Sequence, residues 1–185
     1  NSAVFNRNSL EILSPDSDLY NLVESADLIL TNPPFGAKIG ITDDSLLRLY
    51  EFGYNWTYSE KDKTWYRLNT IVKNQAPQVL FLELCVRMLK PGGTMAIVLP
   101  EGIFGNKSLG YIWAYLKKHG KVLAMIDCPR NTFQPSTDTK TNVLIYQKGI
   151  EFSDEIIVSV AKNCGHDKRG RITNSVNEAL PNDFE

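Results

Sequence analysis

The residues best suited to chemistry in this chain are Asp27-Leu28-Ile29-Leu30-Thr31-Asn32-Pro33-Pro34-Phe35-Gly36. An apolar run of strand type ends in an amide, two prolines, an aromatic and a glycine. Pro33 and Pro34 donate no backbone N–H, so neither a ladder nor a helix continues through them. Asn32 and Pro33 each precede a proline and are pushed towards extended backbone angles. The outcome is a stiff corner just past a strand's carboxyl end, which is where open α/β sheets bind their ligands. It offers the Asn32 side chain, unpaired carbonyls and the Phe35 ring on a backbone with little freedom. A flat, hydrogen-bonding ligand such as a nucleobase suits it. A plain turn uses the same residue types, but the preceding strand and the downstream chain favour the functional reading.

The 185 residues fit one domain, which at this size buries roughly two-thirds of its unfolded surface. Apolar residues at 43% and charged residues at 22% are ordinary for a globular protein. With a formal net charge of −1 there is no global basic field, so any nucleic-acid contact must come from local patches or from a partner. Cys85, Cys128 and Cys164 lack metal-ligand spacing and His119 and His166 lie far apart, so no metal site is expected. Idle thiols point to a reducing, cytoplasmic setting. No apolar run approaches the ~20 residues of a membrane span and no signal peptide is visible, so no membrane association is expected. The chain opens in mid-pattern, which predicts a fragment.

In chain order, Ala3–Phe5 reads as extended and Ser17–Ala26 as a short helix before the strand Asp27–Leu30. The connection from Gly36 to about Ala76 is long enough to predict function or partial structure. Within it, Asp44–Phe52 has helical spacing at Leu46, Leu47 and Tyr50. Tyr54, Trp56, Tyr58, Trp65 and Tyr66 then alternate with Lys61, Lys63 and Arg67, a mixture that could stack on nucleic acid or fold over its own aromatics. Gln75–Lys90 is a wide-faced, well-buried helix stopped by Pro91-Gly92-Gly93, and Thr94–Pro100 is a buried strand. Ser108 is expected to cap a helix with Leu109, Ile112, Trp113 and Leu116 on its inner stripe, ended by Gly120. Strands follow at Lys121–Asp127, Asn142–Gln147 and Asp154–Ala161, with a polar loop Cys128–Pro135 carrying Phe133. Alternating strands and helices predict an α/β sheet.

Thr31–Gly36 resembles the catalytic motif of amino-group DNA methyltransferases in their adenine-N6 form. The wider pattern is closer still to the modification subunits of type I restriction–modification systems and related fused enzymes. The matching segments, in family order, are Leu80–Glu83, Leu89–Gly93, Met95–Asn106, Phe133–Thr137 with Thr139–Thr141, and Asn163–Gly170. The resemblance implies a Rossmann-like class I methyltransferase sheet with helices on both faces, present here as its C-terminal half. Residues 1–150 would hold that half, and 151–185 its final strand and basic tail. The implied cofactor is S-adenosylmethionine. The implied partners are double-stranded DNA and specificity and restriction subunits or fused domains.

The resemblance assigns catalysis to Asn32, Pro33, Pro34 and Phe35, a second base contact to Phe133, and the cofactor's adenine to Asn8, where relatives often carry Asp. No glycine loop occurs in residues 1–31, so the isolated chain is expected neither to bind the cofactor tightly nor to methylate DNA. The same corner serves enzymes that methylate protein glutamine or guanine N2 of ribosomal RNA. A further alternative is an inactive module that binds DNA or a partner. In the family topology Asp27–Leu30 loses its neighbour on one side. Either a homodimer joined there, or a substitute strand (Ala3–Phe5 or Asp154–Ala161), is therefore expected to cover it.

Overall fold

The strand expected at Asp27–Leu30 is β1 (Ala26–Thr31) in a computed structural model that describes residues 3–34, 40–149, 155–174 and 176–185. It is followed by α1 (Asp44–Leu47), β2 (Tyr54–Ser59), β3 (Thr64–Ile71), α2 (Pro77–Met88), β4 (Leu89–Pro100) and α3 (Gly102–Gly105). The chain continues with α4 (Gly110–His119), β5 (Gly120–Asp127), β6 (Thr141–Lys148) and β7 (Ile157–Val160). Five strands form a mixed sheet in the order β1-β4-β6-β5-β7, and β2 and β3 form a separate hairpin. β1 runs parallel to β4 and β5 parallel to β7, whereas β6 lies antiparallel between β4 and β5. The carboxyl ends of β1, β4, β5 and β7 therefore meet the amino end of β6 along one rim.

Helix α2 begins with Pro77 at its first turn, where the missing N–H costs nothing. Val79, Leu80, Leu82, Leu84, Cys85 and Val86 are all buried, so the helix is sunk in the core rather than laid on it. With α4 it covers the face of the sheet formed by Met95, Ile97, Leu99, Val122, Leu144 and Tyr146. Each such side chain contributes roughly 1.5–3 kcal/mol on burial. Tyr50 and Phe52 fill the space between the helices. Tyr50 donates to the Leu10 carbonyl at 2.7 Å, and the Phe52 ring meets Tyr111 and Tyr115 edge-on. Only one of the two expected helical layers lies within the described residues. On the opposite face Leu28 and Leu30 are 59% and 72% exposed, beside half-buried Ala96, Val98, Val143 and Ile145.

Several local expectations are corrected. Ser17–Ala26 forms only a 3-10 turn at Tyr20–Leu22, and Asp44–Phe52 is split into α1 and a 3-10 turn at Glu51–Gly53. The aromatic stretch, for which no strand was expected, forms the β2–β3 hairpin. Ser108 does not cap α4. Asn106 accepts from the Ser108 N–H and Oγ instead and caps a 3-10 turn, Lys107–Leu109, that leads into the helix. Neither substitute strand covers β1: Ala3–Phe5 is not a strand, and Ile157–Val160 pairs with β5 at the far side. The start of that predicted strand, Asp154, lies outside the described residues.

Gly120 ends α4 as expected, but for a different reason. Its φ of 166° is open to any residue, whereas an added Cβ would lie 2.2 Å from the Gln147 carbonyl oxygen and 2.7 Å from Tyr146 Oη. Gly120→Ala is expected to lower stability by about 1–3 kcal/mol, the usual range for overpacking. An unchanged urea midpoint would show that β5 and β6 can separate without cost.

Candidate functional site

The corner follows β1 directly. Thr31 pairs in register with Ile97, so Asn32 leaves the sheet at the rim beside the last residues of β4. Asn32 and Pro34 are exposed, while Pro33 is buried and anchors the corner. Phe35 lies outside the described residues.

The rest of the rim is built from segments distant in sequence. At the end of β4 the Glu101 N–H donates to the Lys140 carbonyl at 3.0 Å. Lys140 Nζ sits between Asp127 at 3.0 Å and Glu101 at 3.2 Å, tying the end of β5 to the end of β4. These two carboxylates hold the Lys140 ammonium above its usual range. Asn142 is buried and donates to Asp127 at 3.4 Å, while its own amide oxygen has no partner among the described residues. Asp127, at the end of β5, is thus part of the rim's scaffold.

Phe133 lies partly buried in the turns that follow β5, three strand positions from β1 along the rim. That separation is about 14 Å at the usual strand spacing. The segment Asn163–Gly170 braces these turns from below. Asn131 donates to the His166 carbonyl at 2.6 Å, and the His166 ring meets the Thr132 carbonyl at 3.3 Å. Gly170, at φ +79°, brings its backbone against Pro135; a Cβ there would lie 3.2 Å from the proline ring. Asp167 fixes the brace by accepting from the Arg169 and Arg171 N–H groups and from the Arg171 guanidinium, which together pull its carboxyl down to about 2. Sequence reading quoted this segment as a motif but missed its use, because a contact across 35 residues leaves no periodic trace.

Asn8 is already engaged locally. Its Oδ1 accepts from the Leu10 N–H at 3.2 Å and its Nδ2 donates to Glu11 at 2.8 Å, capping a 3-10 turn at Ser9–Leu13. One lone pair of Oδ1 remains for a donor. Asn8 borders a cavity of about 840 Å³ whose wall also includes Glu11, Asp18, Gly40 and Thr42. No group of three or more His, Cys, Asp or Glu residues capable of holding a metal occurs among the described residues. No described helix is long and apolar enough to cross a membrane.

The mixed sheet with its strand ends aligned along one rim defines an α/β domain, and comparison with known proteins gives its family. The chain belongs to the N-6 DNA Methylase family, whose model matches residues 3–180. It is 28% identical over 127 residues to the type I restriction enzyme EcoEI methylase subunit of Escherichia coli, covering 68% of this chain and 22% of that one. The chain therefore spans about a fifth of that relative's length. The fold is that of a type I restriction-modification system methyltransferase subunit from Streptococcus thermophilus (TM-score 0.61, 22% identity, 97% of this chain and 33% of that one). It also matches a protein of Listeria monocytogenes described as a class I S-adenosylmethionine-dependent methyltransferase (TM-score 0.55, 21% identity, 75% and 38%).

Proposed function

We propose that this chain is the substrate-side part of an adenine-N6 DNA methyltransferase acting as the modification subunit of a restriction–modification system. The observation that carries this reading is the position of Asn32 and Pro33: they leave β1 at the common rim of the sheet, in a chain of the N-6 DNA methylase family. The amino nitrogen of adenine is a poor nucleophile because its lone pair is delocalised into the ring. Two acceptors aimed at its hydrogens favour a pyramidal nitrogen and stabilise the positive charge that grows on it. The Asn32 side-chain oxygen and the Pro33 carbonyl take these roles, and the double proline limits reorganisation at the moment of reaction.

Inside a duplex the base is out of reach, so it must be flipped out at a cost of a few kcal/mol. Stacking on Phe35, at about 1–3 kcal/mol, offsets much of that cost, and Phe133 is the second base contact if its turns fold over the corner. S-adenosylmethionine would supply an electrophilic methyl group. On this side of the site, the open lone pair of Asn8 Oδ1 would accept from the cofactor's exocyclic amine. The partners are double-stranded DNA and specificity and restriction subunits, or fused domains with those roles, in the cytoplasm.

The deciding experiment presents the full-length protein, together with its specificity subunit, with adenine-containing duplex, ribosomal RNA and a glutamine-bearing protein, and follows labelled methyl transfer. Label on the N6 of adenine is expected. Label confined to RNA or protein, or no transfer at all, would overturn the reading.

A further inference from the structure

We propose that a second cavity, between the β2–β3 hairpin and α4, binds backbone phosphates of duplex DNA outside the reacting nucleotide. This rests on the DNA reading above. The cavity measures about 700 Å³ and is lined by Arg48, Arg67, Arg87 and Lys118, against a single carboxylate, Glu51. In a chain of net charge −1, this gathers positive charge in the kind of local patch that DNA binding requires. Arg87 is committed inward, donating to the Leu49 carbonyl at 2.7 Å and lying 3.6 Å from buried Glu83. Arg48, Arg67 and Lys118 are exposed, and none of them forms an ion pair among the described residues.

The aromatic residues decide between a base and a phosphate as the occupant. Trp56 stacks on Tyr111 with ring centroids 5.5 Å apart and planes 11° from parallel, and Trp65 meets the same tyrosine edge-on. Arg67 covers the Tyr54 ring at 4.3 Å. The faces of Trp56, Trp65 and Tyr54 in these contacts are occupied within the protein and Tyr66, 48% exposed, is the lining ring left open, so what the cavity presents outward is mainly charge. Guanidinium and ammonium groups on three separate elements, with Arg67 held in place by Tyr54, suit the oxygens of successive phosphates. The rings act as the mount and the cations as the contact.

The test uses the full-length protein and an Arg48→Ala/Lys118→Ala double variant, with binding to cognate and scrambled duplexes followed across salt concentration. The slope of log affinity against log salt is expected to become shallower by about 0.9 for each lost phosphate contact, roughly 2 in all. Affinity for both duplexes should fall in parallel, turnover at saturating DNA should stay unchanged, and Arg48→Lys/Lys118→Arg should restore the slope. An unchanged slope overturns the proposal, including the case in which the double variant instead loses an acidic protein subunit. The function itself is scored separately, by methyl transfer from the wild-type protein. A methylating enzyme with an unchanged slope sinks only this site, and a protein that binds DNA with the predicted slope change without methylating sinks only the reaction.

Discussion

Asn32→Ala in the full-length protein is expected to lower the methyl-transfer rate by about 10²–10³-fold or more, the range seen when one preorganised transition-state contact is removed. Asn32 is exposed and outside the core, so stability should change by no more than ~0.5 kcal/mol. Its proposed work is done as charge grows on the adenine nitrogen, so the loss should appear in kcat rather than in DNA or cofactor affinity. Single-turnover transfer within tenfold of wild type would remove Asn32 from the mechanism. A parallel loss of folding would instead place Asn32 in the scaffold.

The largest effect on stability is expected at Glu83. This carboxylate is completely buried, accepting from the Glu51 N–H at 2.9 Å and the Phe52 N–H at 2.8 Å, with Arg87 nearby. Burial outweighs these partners and pushes its pKa up to about 7 from 4.5. Between those values the folded protein holds a proton that the unfolded chain has released. Stability should therefore fall as pH rises from about 4.5 to about 7 and level off above, a change on the order of 3 kcal/mol. Glu83→Gln should flatten that profile, because nothing at the site then titrates. Glu83→Ala should cost about 3–5 kcal/mol, leaving two N–H groups without their acceptor and Arg87 without its neighbouring carboxylate. Denaturation at pH 5 and pH 8 measures both, and a Glu83→Gln profile that still slopes like the wild type would refute the assignment.

Much of the scaffold was legible because periodicity carried it. The apolar runs at Asp27–Leu30 and Thr94–Pro100 and the wide apolar face of Gln75–Lys90 found β1, β4 and α2, although β4 starts earlier, at Leu89, and takes in Pro91-Gly92-Gly93. The hairpin was missed although its signal was present: Tyr54, Trp56 and Tyr58 alternate with Asn55, Thr57 and Ser59, the period of a strand. The tryptophans of that stretch pack inward on Tyr111, and Arg67 covers the Tyr54 ring. The turn of Asn32, Pro33 and Pro34 at the end of β1 was readable from residue types alone. The Lys140 bridge and the His166 brace were not, because each depends on how far the chain travels before it returns.

The place of β6 at the centre of the sheet governs the order in which a ribosome can deliver this fold. β1 and β4 can pair as soon as Pro100 has emerged, but β5 finds no neighbour until the following strand arrives. That strand, Thr141–Lys148, bonds to β4 on one side and β5 on the other and inserts the fully buried Tyr146 between them. Until then the emerging chain exposes the open border of β4, both borders of β5 and the apolar stripe of α4. Such nascent species are prone to aggregation and are typical chaperone clients. Slowing elongation within codons 120–148 would prolong that exposure, whereas a pause placed after Lys148 would give the sheet time to close.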